Sequence, residues 1–158
     1  MHSGSSSDLP ASVSSAWRIG IVHATFHADI VSKLVEGAER VLIGAGISPG
    51  NVRRYAVPGS FEIPLVGSAL LKEDAADALI GLGVVIQGET HHAALIAESA
   101  AKGMMDLQLQ YAVPFAFEVL FVQDIAQARA RAEEAHNRGA EAARAVLHSL
   151  AQLRLIRS

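Results

Sequence analysis

Nine consecutive residues, Ala78-Leu79-Ile80-Gly81-Leu82-Gly83-Val84-Val85-Ile86, carry no polar side chain. A strand with one wet face would alternate, and an amphipathic helix would bring a polar residue round within each turn. A short unbroken apolar run reads instead as a strand covered on both faces, as at the centre of a parallel sheet. It is far shorter than the ~20 residues that span a bilayer. The run stops at Gln87-Gly88-Glu89-Thr90, and a helical pattern starts at about His91. A strand that ends in a glycine-containing loop and opens a helix leaves several backbone N–H groups free and aimed one way. The helix dipole adds partial positive charge there, so the geometry suits a phosphate or another small anion. His92 falls in the first turn of that helix, and histidine is the side chain that ordinarily titrates near neutral pH. Two readings stand side by side: an anion pocket with a built-in acid/base, or a plain strand–loop–helix crossover with Thr90 as its N-cap.

The rest of the chain alternates in the same way. Residues 1–16 are serine-rich and read as a disordered or extended segment, and residues 17–158 as a single domain. Arg18 to Thr25 forms a first strand. After a break at Phe26-His27-Ala28-Asp29, apolar residues at Ile30, Val31, Leu34, Val35, Ala38, Val41 and Leu42 mark one face of a helix, closed by Gly44 and Gly46. Asn51 to Val57 is a more polar strand, suited to an edge because Arg53 and Arg54 interrupt it. A turn at Val57 to Glu62 leads into a short helix with Pro64 in its first turn. After the central strand, a helix spans about His91 to Leu109. Val113 to Val122 forms a fourth, nearly continuous apolar strand. Asp124 with Gln127 has the spacing of a capping box, Asn137-Arg138-Gly139 breaks the helical pattern, and a last helix runs to about Leu153.

Buried strands alternating with helices predict an α/β fold, a flavodoxin-like doubly wound sandwich with a four-stranded, mainly parallel sheet flanked by helices. In such sheets ligands bind beyond the carboxyl ends of the strands. That selects Thr25 to His27, Gly59 to Glu62, Gln87 to His92 and the end of the fourth strand.

Composition removes several function classes. The net charge of −3 argues against nucleic acid or an anionic membrane as partner. The absence of cysteine excludes disulfides, thiolate chemistry and Cys-ligated metals. The first residues, with no Lys or Arg and no apolar stretch, do not form a secretory signal, and a cytoplasmic protein is expected.

Four separated motifs then point to one family. Val57 to Pro64 reads VPGSFEIP, Gly83 to His92 reads GVVIQGETHH, Gln127-Ala128 is followed by Arg131, and Asn137 to Ala143 reads NRGAEAA. In this order and spacing they resemble lumazine synthase, and the resemblance covers the chain from about Arg18 to its end. It implies a transferase-type condensing enzyme of riboflavin biosynthesis. Such an enzyme makes 6,7-dimethyl-8-ribityllumazine from 5-amino-6-(D-ribitylamino)uracil and 3,4-dihydroxy-2-butanone 4-phosphate, with no metal and no organic cofactor. It further implies that Phe26 stacks on the pyrimidine, that Gly59, Ser60, Phe61 and Glu62 hold the ribityl chain, and that Val85 and Ile86 line the ring. By the same resemblance Gly88, Glu89 and Thr90 form the phosphate nest, His92 moves protons, Phe117 closes over the ring, and Arg131 pairs with the phosphate. Arg138 stands where the family carries a catalytic lysine. The partners implied are small-molecule substrates and further copies of the chain, in a pentamer or a multiple of it, with sites shared between neighbouring subunits.

Read without the family, several of these residues have plainer roles. Phe26 could be a core aromatic, Glu62 a first-turn charge, Val85 and Ile86 simply core, and Arg131 a partner of Glu134. The chain also departs from the pattern at Gln87, Ala93-Ala94, Glu118 and Arg138. His27-Ala28-Asp29 and Gly103-Met104-Met105 look more like a second bacterial branch, whose assemblies tend to be paired pentamers. Two rival functions remain open on sequence. One is a catalytically weak or inactive relative that binds a flavin or pteridine-like ligand or builds a shell; the other is a flavodoxin-like FMN carrier.

Overall fold

The computed structural model of the chain describes residues 8–88 and 91–158. Four parallel strands form one sheet in the order β2-β1-β3-β4. They are β1 (Ile19–Ala24), β2 (Val52–Val57), β3 (Ala78–Ile86) and β4 (Phe115–Val122). Around them lie α1 (Ala28–Gly44), α2 (Ile63–Lys72), α3 (His92–Tyr111), α4 (Ile125–Ala130) and α5 (Arg138–Arg157). The apolar run at residues 78–86 is an inner strand, and all but its last residue are buried. The polar β2 is an edge, as its arginines require.

Each face of the sheet carries its own core. On one side, Ile21 and Ile80 meet Val31, Leu34 and Ala38 of α1 and Ala143, Val146 and Leu147 of α5. On the other, Val22 and Leu79 meet Ile63 and Leu70 of α2 and Ala93 and Met104 of α3. The result is the expected α/β/α sandwich, with α1 and α5 on one face and α2 and α3 on the other. Among the described residues no helix is long and apolar enough to cross a membrane.

Three local outcomes differ from the sequence reading. β4 is the second edge, and its apolar run is not buried on both faces, since Phe117 and Phe121 are 41% and 43% exposed. Periodicity cannot distinguish an inner strand from an edge whose outer side is apolar. The capping box after β4 is only half reciprocal. Asp124 accepts from the Gln127 amide at 2.9 Å, but the Gln127 side chain accepts from the Gln123 amide rather than from the cap's own. Finally, α5 runs to Arg157, past Leu153, with the last turn unsupported by the core because Leu155 and Ile156 are exposed. Residues 8–16 form no helix or strand, but Leu9 and Val13 pack on the α1–α5 core, and the Ser15 carbonyl accepts from Ser48 N at 3.0 Å.

The α1–α5 contact sets the position of everything after α4. Asn137 is buried and caps α5 through Ala140 N at 3.0 Å, while its amide nitrogen donates to the carbonyls of Lys33 (2.9 Å) and Ala132 (3.0 Å). One side chain thereby ties α1, the turn after α4 and the start of α5. Gly139 allows the approach: a Cβ there would overlap the Leu34 carbonyl oxygen.

Candidate active site

With strand order β2-β1-β3-β4, the order in which strands are added across the sheet reverses between β1 and β3, the switch point at which open α/β sheets bind ligands. An open cleft of about 790 Å³ lies there, at the carboxyl ends of the strands. Its floor is Ala24 at the end of β1 and Val84, Val85 and Ile86 at the end of β3. One wall is Phe26 and His27, another is Pro58 to Glu62, and the third is His92, Ala93, Leu95 and Ile96 of α3.

Local hydrogen bonds build these walls. The loop after β1 is held to the turn after β2 by Thr25 N to the Val57 carbonyl (2.8 Å) and Phe26 N to the Pro58 carbonyl (3.2 Å). That pairing sets Phe26 beside Gly59–Glu62, which curls into a 3-10 turn closed by Glu62 N on the Gly59 carbonyl at 3.2 Å. Ser60 is buried against β3, where Gly83 leaves room for it; a Cβ on Gly83 would overlap its hydroxyl oxygen. Phe26 is 67% exposed, so it is not a core aromatic, and its ring meets His27 edge-on at a centroid distance of 4.4 Å. A large aromatic left in water at the mouth of a cleft is a surface for a flat ring. His27 takes a left-handed backbone (φ 56) at the N-cap of α1, a conformation uncommon for a residue with a side chain.

His92 opens α3 and is exposed to the cleft. Gly88 is exposed in the loop just before it; Glu89 and Thr90, the other two expected nest residues, lie outside the described residues. The cleft therefore collects Phe26, Gly59, Ser60, Phe61, Glu62, Val85, Ile86 and His92 from segments far apart in sequence. His27 lies in the selected loop after β1, but sequence reasoning missed Leu95 and Ile96 as lining residues. Neither carried a usable signal, because apolar residues in a helix read as core.

Arg131, Arg138 and Phe117 do not reach this cleft within the chain. Arg131 and Arg138 line a second open hollow, of about 980 Å³, between the turn after α4 and the outer face of α5. Arg131 donates from Nη1 to the Gln127 carbonyl at 3.1 Å, and its own carbonyl accepts from Arg138 N at 2.9 Å. The alternative pairing with Glu134 does not form, since Glu134 faces Arg40 instead. Arg138 pairs with Glu141 at 3.2 Å, an exposed contact of the kind worth ~0–1 kcal/mol. Phe117 lines neither of these two cavities and points away from the face of β4 that meets α5.

Glu118, next to Phe117, points toward α5. Burial pushes its carboxyl up to about 7, Arg138 pulls it down, and Glu141 pushes it up. The folded state therefore holds this proton more tightly than the unfolded chain, whose value is near 4.5. Below pH 4.5 the group is protonated in both states and costs nothing. Between pH 4.5 and 7 the folded state progressively loses stability relative to a neutral side chain, and above 7 the loss is constant. Glu118→Gln should be close to wild type at pH 4.5 and more stable by about 2–3 kcal/mol at pH 8. Chemical denaturation of both proteins at the two pH values checks this, and an equal difference at both would rule it out.

Comparison with known proteins identifies the family. Residues 16–154 match the family model described as 6,7-dimethyl-8-ribityllumazine synthase. The chain is 37% identical over 126 residues to the 6,7-dimethyl-8-ribityllumazine synthase of Polaromonas sp. strain JS666, covering 80% of each protein. It is 38% identical, over the same length and coverage, to that of Acidovorax ebreus strain TPSY.

Proposed function

The chain belongs to the 6,7-dimethyl-8-ribityllumazine synthase family, a family of condensing enzymes of riboflavin biosynthesis, and from that membership we propose its reaction and the roles of its residues. It condenses 5-amino-6-(D-ribitylamino)uracil with 3,4-dihydroxy-2-butanone 4-phosphate, releasing phosphate and water. The observation that carries this reading is the cleft at the switch point, in which Phe26, Ser60 to Glu62, Val85, Ile86 and His92 meet. A flat apolar face, a carboxylate suited to sugar hydroxyls and an imidazole at one site match the three parts of the pyrimidine substrate.

The chemistry makes matching demands. The 5-amino group attacks the ketone and an imine forms with loss of water. Removal of a proton from the adjacent carbon then expels the phosphate, and the ribitylamino nitrogen closes the second ring with loss of another water. Each step moves a proton, which His92 takes and returns. Gly88, Glu89, Thr90 and Arg131 hold the phosphate until it leaves. Arg138 supplies a second cation, Phe117 covers the ring, and holding two substrates in attack geometry could contribute ~7 kcal/mol or more.

Within one chain Arg131 and Arg138 lie in a different cavity from His92. The reading therefore needs two copies, with the cleft of one facing the Arg131 hollow of the next. Exposed apolar side chains support such association: Leu95, Met105 and Leu109 on α3, and Phe117 and Phe121 on the edge strand that α3 packs against. A head-to-tail ring has heterologous interfaces, so each composite site takes one half from each neighbour.

Mixing two inactive variants tests this directly. His92→Ala and Arg131→Ala, dissociated, combined in equal amounts and reassembled, should recover about a quarter of wild-type condensation activity, because about a quarter of interfaces receive both intact halves. Each variant reassembled alone should stay at its own low rate. No recovery in rings shown by mass spectrometry to be mixed would refute the shared site. Absence of condensation by the wild type would refute the reaction.

A further inference from the structure

The Arg131 hollow holds more uncompensated positive charge than its composition suggests. Three carboxylates line it, and each has a cationic or imidazole neighbour: Glu141 is paired with Arg138 at 3.2 Å, Glu134 with Arg40 at 3.5 Å, and Asp8 lies 3.6 Å from His148. Among the described residues, two guanidiniums remain without an acid. Arg131 donates only to the Gln127 carbonyl. The side chain of Arg144, half-buried on the same outer face of α5, makes no hydrogen bond or ion pair with any described residue.

Arg144 is alone in this among the described arginines. Arg18, Arg40, Arg54, Arg129, Arg138 and Arg154 have ion pairs, while Arg53, Arg131 and Arg157 donate to backbone carbonyls. A guanidinium is charged at every physiological pH and carries five donors in a rigid fork. Partly withdrawn from water and without a side-chain partner among the described residues, it keeps that donor capacity for an acceptor from outside the chain.

The placement suggests which acceptor. Arg138 N donates to the Arg131 carbonyl, which fixes Arg131 at the first turn of α5. Arg144 is six residues further along the same helix, about 9 Å along its axis. Two long side chains extending from these positions into one hollow can take an anion between them. A phosphate monoester near neutral pH carries close to two negative charges and three terminal oxygens, enough for two guanidinium forks. We infer that Arg144 is a second phosphate-binding arginine, completing with Arg131 the anion site of the phosphorylated substrate. This rests on the reading of Arg131 as the phosphate partner and extends it to a residue outside the four family motifs.

Inorganic phosphate is the probe, because its binding needs no turnover. It is titrated calorimetrically into the assembled wild type and into Arg144→Gln, Arg144→Lys and Arg53→Gln, the last being a distant exposed control. Arg144→Gln should weaken phosphate binding about tenfold or more. Arg144→Lys should weaken it less, and Arg53→Gln should leave it unchanged. In the condensation, Arg144→Gln should raise KM for the phosphorylated substrate by a similar factor, leaving kcat and KM for the pyrimidine near wild type. Wild-type phosphate affinity in a folded, assembled Arg144→Gln overturns the inference, as does a wild type that binds no phosphate. If Arg144→Gln does not fold, Arg144→Lys decides, and undiminished phosphate affinity in it overturns the assignment of a guanidinium fork. Weakened phosphate binding together with a wild type that does not condense would retain the anion site and reject the reaction.

Discussion

Replacing His92 with alanine should lower turnover by ~10²-fold or more while leaving pyrimidine binding nearly intact. The expectation comes from position. His92 is the first residue of α3, exposed toward the cleft that also holds Phe26 and Glu62, and the fold does not bury it. Its removal takes away a proton carrier without opening a cavity in either core. The pyrimidine would still find Phe26, Ser60 to Glu62 and the end of β3. A residual rate is expected, because bringing the two substrates together helps even without the imidazole. Steady-state kinetics with both substrates, alongside pyrimidine binding measured by fluorescence, check the result. Wild-type turnover in the folded variant would remove His92 from the mechanism.

The largest structural effect should come from Gly139→Ala. A single methyl group there would overlap the Leu34 carbonyl oxygen and crowd the Asn137 side-chain oxygen. Both obstacles are fixed, one by the backbone of α1 and the other by three hydrogen bonds. The helices must therefore separate, losing part of the contact among Leu34, Val35, Ala143 and Leu147. A loss of about 3 kcal/mol or more is expected. Gly44→Ala is the control: nothing lies near its would-be Cβ, and alanine in a helix should be neutral or stabilising by up to ~1 kcal/mol. Denaturant midpoints of the two variants should move in opposite directions or differ by the full cost. Similar midpoints would show that α1 and α5 are not held at this contact.

The same region explains why the candidate site was only half legible. Phe26, Glu62 and His92 could be named from the chain because each follows the carboxyl end of a strand or opens the next helix, and parallel sheets gather those points on one side. Arg144 could not be named. On paper it is one more charge on a polar helix face. The role inferred for it rests on which acids found other partners, and those pairings depend on packing: Glu134 goes to Arg40 on α1, 94 residues away in sequence. Phe117 was legible as an aromatic but not as an exposed one.

Order and type of elements were determined by the sequence alone, because hydrophobic period and turn residues act over a few positions and survive in any tertiary context. Thus the unbroken apolar run at 78–86 reads as a strand and is one, and the arginines of β2 suit the edge where that strand lies. Tertiary structure decided what depends on distant partners. It made β4 the other edge, let Asn137 reach Lys33 across 104 residues, and set Arg131 and Arg138 in a cavity apart from His92. Those outcomes follow from close packing and from the need to pair buried polar groups, conditions met only when segments far apart in the chain are in contact.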